Sequence, residues 1–361
     1  MKCIKGSLML AMLAMLALAL AGCGGDNTTG QNTPTTTSPT QAPVNGFGIA
    51  ANHVHSMVSL PPNVLLLATH YGIYRSPDGG ATWQLVAGGP GQLMSGLMEY
   101  AMSASPLDAQ RLYVLTQPSA AGYKGIPGLY TSADQGRTWK LSVAAASISS
   151  RYIYTEAAGN DSADEVYIYL SELGKLGLKR SLDDGQHFTT TGALPFDLIF
   201  GIVALPGAPG HLLVYGSEGM ASSTDGGIHW RVLSSIQGGV QDVVSAGENK
   251  PIYASGDAGI YASTDGGQTF KLVYSQASYT ALAVSSQQPQ MLYGKTGTSI
   301  YRSSDGGKTW TALPHISGNL TVLAVVPDHP SEVYLSLSYP TAMYRLNSAG
   351  TGWTSLTPPA S

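Results

Sequence analysis

Arg75–Trp83 reads RSPDGGATW, and the pattern returns as TSADQGRTW (Thr131–Trp139), RSLDDGQHF (Arg180–Phe188), SSTDGGIHW (Ser222–Trp230), ASTDGGQTF (Ala262–Phe270) and RSSDGGKTW (Arg302–Trp310). A degraded copy, RLNSAGTGW, spans Arg345–Trp353. The closing aromatics lie 56, 49, 42, 40, 40 and 43 residues apart. A period of roughly 40 to 45 residues is that of a four-stranded propeller blade.

The interval between copies supports this reading. Around the fifth copy, VQDVVSAG, PIYASGD, GIYAS and TFKLVYS are short β-rich runs separated by Gly-rich turns. Seven copies predict an all-β, seven-bladed β-propeller of four-stranded antiparallel blades. Blade one starts near His53 and blade seven ends near Leu356, so each blade is built from consecutive sequence. That leaves the closure of the ring open; Phe47–Ala51 is a candidate outer strand for the last blade.

The pattern S-x-D-x-G-x-T-W resembles the Asp box of BNR-repeat proteins. It belongs on the hairpin between the third and fourth strands of each blade, where Gly takes positive φ and the carboxylate accepts turn N–H groups. Asp78, Asp134, Asp183, Asp225, Asp265 and Asp305 recur once per blade, whereas catalysis needs a residue once; they are read as frame. Ser348 holds the place in the degraded copy. His187 and His229 stand at the Thr position, and Arg75, Arg180, Arg302 and Arg345 share one register before the box. These too are repeat positions.

The N-terminus has another origin. Lys2 and Lys5 precede an apolar run of fourteen residues, Leu8–Ala21, short for a membrane span and suited to a signal-peptide core. The run ends Leu20-Ala21-Gly22-Cys23, which resembles the lipobox of bacterial lipoproteins. That resemblance implies a signal peptide over 1–22, lipidation of Cys23, and an exported protein anchored on the outer side of the cytoplasmic membrane, or on an outer membrane where one exists. Residues 23–43, rich in Thr and Pro, hold too little apolar surface to fold and are read as a tether. Residues 44–361 form the propeller. Cys3 and Cys23 are the two cysteines, so the propeller has no disulfide and depends on its core.

Charged residues make up 11% of the chain against a usual value of about 25%, and the formal net charge is −4. This balance excludes a nucleic-acid footprint and a polybasic membrane patch. Gly at 44, with Tyr at 20 against Phe at 5, points to a turn-rich β protein with many half-exposed aromatics.

Asp boxes also occur in sialidases, which need three converging arginines. Of eight arginines, four are in the repeat register, Arg137 is inside a box and Arg231 follows one, leaving Arg111 and Arg151. A typical sialidase is therefore not expected. Xyloglucanase-like hydrolases use two propellers with a cleft between them, and one is predicted here. A glycoside hydrolase with carboxylates on the channel rim remains an alternative. Glu99, Glu172, Glu218, Asp242 and Asp257 lie outside the boxes. Glu172, Glu218 and Asp257 fall at second-to-third strand turns and are the candidate catalytic residues.

Blade one departs from the repeat. HVHSM puts His53, His55 and Met57 in alternation, and THYG puts His70 at the following turn. Three imidazoles there are candidate ligands for zinc or copper, with Met94, Met98 and Met102 as candidate neighbours. The combination H-x-H with T-H-x-G resembles a group of exported bacterial BNR-repeat proteins often labelled glycosylhydrolases. By Asp boxes alone, the ring is similar to the propeller of photosystem II assembly and stability factors. The leading expectation is a membrane-anchored module binding a protein, glycan or small ligand on its channel face. Hydrolysis and metal binding are the alternatives, and oligomeric state stays open.

Overall fold

The computed structural model describes residues 52–119, 123–148, 153–326 and 329–357. The expected signal segment, lipidation site Cys23 and tether, the candidate strand Phe47–Ala51, and Arg151 lie outside them. The chain divides by its contacts into Met1–Gln41 and Ala42–Ser361, and every described residue falls in the second unit.

Seven four-stranded antiparallel sheets follow one another in sequence, each with its strands in chain order. The first strand of every blade lies innermost and packs on the first strands of its two neighbours. Val54–Leu60 therefore contacts both Leu97–Ala104 and Asn319–Val326, closing the ring. Blade seven's own Trp353–Ser355 is its outer strand.

Among the described residues each blade keeps its own four strands, and hydrogen bonds join blade one to blade seven. The Val54 N–H donates to Ser338 Oγ, the Trp83 indole to the Leu356 carbonyl, and the Tyr339 N–H to the Asn52 carbonyl. Val54, Leu65, Leu67 and Tyr74 of blade one share a core with Val326, Tyr334 and Met343 of blade seven. Burial of this apolar surface is the main closing force, at about 25 cal/mol per Å².

Half-exposed aromatics occur as expected, among them Tyr100, Tyr154, Tyr274, Tyr301 and Tyr344, and the excess of Tyr over Phe has a second structural cause beside them. Tyr113, Tyr167, Tyr253, Tyr293 and Tyr334, all on second strands, are fully buried between blades. Each hydroxyl reaches a carbonyl of the following blade: Ala163, Gly226, Pro289, Pro330 and, across the closure, Gly79. A buried ring with a polar tip supplies packing and a hydrogen bond at one site, which Phe cannot do.

The boxes sit on the third-to-fourth strand hairpins. In blade one, Asp78 Oδ1 accepts from Ser76 Oγ (2.8 Å) and the Thr82 N–H (2.8 Å), while Oδ2 accepts from Thr82 Oγ1 (2.6 Å). Ser76 Oγ in turn accepts from the Gly80 N–H. The same set holds Asp134, Asp265 and Asp305. At Asp183 and Asp225 the Nδ1 atoms of His187 and His229 replace the Thr hydroxyl at 2.6 Å.

The degraded box is repaired one residue early. Asn347, not Ser348, accepts the Thr351 N–H at 2.9 Å, the same four-residue reach as Asp to Thr elsewhere. Among the register arginines, Arg180 and Arg345 pair with carboxylates of their own blades, Arg180 with Asp161 and Glu165 and Arg345 with Glu332, while three of the four also reach the blade that follows. Arg75 Nε donates to the Gln135 carbonyl in the next box, and Arg180 and Arg302 lie against Gly226 and Gly350 of the boxes that follow them. Arg111 bridges blade two to Asp164 and Asp184 of blade three.

Candidate functional site

His53, His55 and His70 converge at one mouth of the channel. Each offers a ring nitrogen, and the three lie within 4.8 Å of one another. Ring centroids are 4.4 Å apart for His53 and His55, 4.7 Å for His53 and His70, and 6.3 Å for His55 and His70.

A backbone irregularity aims them. Val54 pairs with Thr69 and Ser56 with Ala68, so His55 is the extra residue of a β-bulge. Simple alternation breaks there, which corrects the expected alignment of Met57 with the histidines. Met57 instead joins Val54 in the blade one and seven core. Met94 and Met102 belong to the core shared by blades one and two, so neither is a neighbour of the imidazoles.

His70 occupies the second-to-third strand turn. Its N–H donates to the His53 carbonyl at 3.0 Å, and Thr69 Oγ1 clamps the turn from Tyr71 N–H (3.1 Å) to the Gly72 carbonyl (2.9 Å). Gly72 follows at φ 129°, and a Cβ there would stand 2.5 Å from the Ala87 carbonyl oxygen. Only glycine fits this approach.

Tyrosines frame the cluster. Tyr339, on the equivalent turn of blade seven, lies 4.9 Å from the His53 ring; Tyr71 is edge-on to His70 at 4.9 Å; Tyr100 is 5.6 Å from His55. Tyr100 is itself the extra residue of a bulge between Glu99 and Ala101. Tyr71 and Tyr339 are 39% and 53% exposed, so the mouth presents aromatic faces to solvent.

Burial, followed by repulsion from His53 and His70, lowers the His55 pKa to about 3. Burial and His53 lower that of His70 to about 4, against the opposing Ser119 backbone hydrogen bond. Both rings are neutral at neutral pH, with lone pairs available. Their arrangement can bind a cation or accept hydrogen bonds.

The three candidate carboxylates all stand on second-to-third strand connections. Glu172 is in the 3-10 segment Ser171–Leu176, Glu218 follows Gly216, and Asp257 follows Gly256. Asp257 accepts the Gly239 N–H at 2.8 Å and Glu218 accepts the Asp197 N–H at 3.3 Å, so both cap neighbouring loops.

The strongly perturbed acids are elsewhere, on innermost strands. Glu99 is fully buried against Gly72 and Gly88, and that burial raises its pKa well above the usual range. Glu156 is pushed up to about 8 by burial, against a bond from Ser103 Oγ in blade two. Burial also raises Asp242, although it accepts the N–H groups of Val243 and Leu282. Glu156 and Asp242 thus join adjacent blades. A lone acidic residue on a β-rich first strand was the only sequence signal for Glu156, and it does not reveal burial.

Residues 301–312 match the BNR/Asp-box repeat. A comparison with curated proteins finds no match. Among solved structures, the GH74 enzyme of Niastella koreensis is 16% identical with a TM-score of 0.67, and the GH74 xyloglucanase from Xanthomonas campestris is 18% identical with a TM-score of 0.65. These cover 86% and 87% of this chain, which spans only 54% and 55% of theirs. YCF48 from Cyanidioschyzon merolae is 16% identical with a TM-score of 0.56, and 79% of this chain matches 92% of it. The shared property at these identities is the fold.

Proposed function

We propose that this chain is an extracytoplasmic recognition module that binds an extended, uncharged ligand segment at the channel mouth. One observation carries the reading: neutral imidazoles and exposed tyrosine rings from blades one and seven meet where the repeat stops dictating residues. Stacking on such rings suits a glycan or a peptide segment.

Hydrolysis is less well supported. Glu218 and Asp257 are engaged with backbone N–H groups, and Glu156 and Asp242 with neighbouring blades. The GH74 structures it resembles are about twice its length. A YCF48 structure with a bound D1 peptide matches over 90% of its own length, which favours a single ring acting by binding. Lipidation at Cys23 would hold the module at a membrane, and Cys23→Ala is expected to release it into the soluble fraction.

The test is a screen on glycan and peptide arrays with the wild type, Tyr71→Ala/Tyr339→Ala and Asp78→Ala, alongside a reducing-sugar assay on xyloglucan. The reading expects a ligand whose binding falls at least ~10-fold in the tyrosine variant, a loss of about 1.4 kcal/mol, and persists in Asp78→Ala. Sugar release by the wild type, or binding indifferent to the tyrosines, would overturn it.

A further inference from the structure

The same mouth has the donor set of a metal site, and this inference stands apart from the nature of any organic ligand. We propose that His53, His55 and His70 bind one divalent transition-metal ion, Zn(II) or Cu(II), through three imidazoles.

The geometry comes first. Three nitrogens at 2.0–2.1 Å from a tetrahedral ion lie roughly 3.3 Å apart. The observed limit of 4.8 Å closes to this by ring rotations moving each nitrogen on the order of 1 Å, with the backbone left in place. The His70 to His53 backbone bond and the bulge at His55 already fix the three Cα positions. A site preset by backbone hydrogen bonds loses less entropy on loading.

The second observation is an unmet need. His55 Nε2 and His70 Nδ1 are buried without a hydrogen-bond partner. Leaving such an atom unpaired costs about 1–3 kcal/mol, and a bound cation removes that cost at two positions at once.

Chemistry narrows the ion. Imidazoles suit Zn(II) and Cu(II), and of the methionines weighed with them Met57, Met94 and Met102 are packed into hydrophobic cores. Three protein ligands leave a fourth position for water or a donor from a ligand in the mouth.

The test uses the full chain, stripped with chelator and titrated calorimetrically with zinc chloride, with no organic ligand present. The expected result is one equivalent bound, with affinity reduced at least ~100-fold in His55→Gln/His70→Gln and unchanged in His187→Ala/His229→Ala. The single variants His55→Gln and His70→Gln, checked for native circular dichroism, cover the case in which the double variant fails to fold. With Cu(II), paramagnetic resonance should show nitrogen hyperfine coupling that both single variants alter. Equal affinity in wild type and His-mouth variants, or loss of binding in the box-histidine variant, overturns the proposal. Failure here leaves the array screen undecided, and failure of the screen leaves this titration unaffected.

Discussion

The His70 N–H donates to the His53 carbonyl at 3.0 Å, so a turn residue and a residue before the innermost strand are tied directly to each other. Their rings stand 4.7 Å apart because the backbone has been joined beneath them. His55, re-aimed by the bulge, completes the group. This arrangement couples the mouth to folding stability through pH.

The folded chain holds His55 neutral down to about 3, while the unfolded chain protonates near 6.5. Between these values the unfolded state binds more protons, so this residue's contribution to stability falls as pH drops below 6.5. His70 has the same sign, from 6.5 to about 4. Urea denaturation of metal-free wild type and His55→Gln should give a stability difference that is flat above pH 7.5 and shifts in favour of the variant by pH 5. Parallel profiles would contradict the buried neutral ring.

Glu156 has the opposite slope. Its pKa is about 8 folded and 4.5 in its ordinary state, so the folded chain binds the extra proton and stability is lost as pH rises from 4.5 to 8. Glu156→Gln should therefore gain on the wild type as pH rises through this window and stop gaining above it. A variant penalty independent of pH would mean that the carboxyl is ionised in the fold.

Asp305→Ala removes the acceptor for the Lys308 and Thr309 N–H groups and the Thr309 hydroxyl. The expected cost is about 1–3 kcal/mol, read as an earlier denaturation midpoint. Zinc affinity should not change. A mouth that fails in this variant while the ring stays folded would show that the boxes do more than hold the frame.

Gly259 has φ 130°, and a Cβ there would stand 2.0 Å from the Tyr274 carbonyl oxygen. Gly259→Ala should destabilise blade five by about 2–3 kcal/mol from backbone strain and displacement of the outer strand. Thermal unfolding of this variant beside Gly266→Ala, where φ is +71° and the new methyl meets open space, separates the clash from positive-φ strain alone.

The frame was legible because it is repeated. Seven closing aromatics gave blade number, strand order and the location of the second-to-third turns, and His70, Glu172, Glu218 and Asp257 stand on those turns. What depends on one extra residue was not legible. Alternation puts His55 and Met57 on the same face, but the bulge at His55 separates them, and no composition rule marks a bulge. Asn347 replacing the box Asp one position early is the same kind of event. Burial of Glu99 and Glu156 arises from neighbouring blades tens of residues away, so periodicity does not carry it.

The most direct measurement is a zinc titration followed by the ring-nitrogen NMR signals of the eight histidines. The account predicts that His53, His55 and His70 shift together and saturate at one equivalent, with His187, His211, His229, His315 and His329 unchanged at that point. Earlier shifts at the box histidines, or three mouth histidines that never respond, would contradict the assignment of a metal site to this mouth.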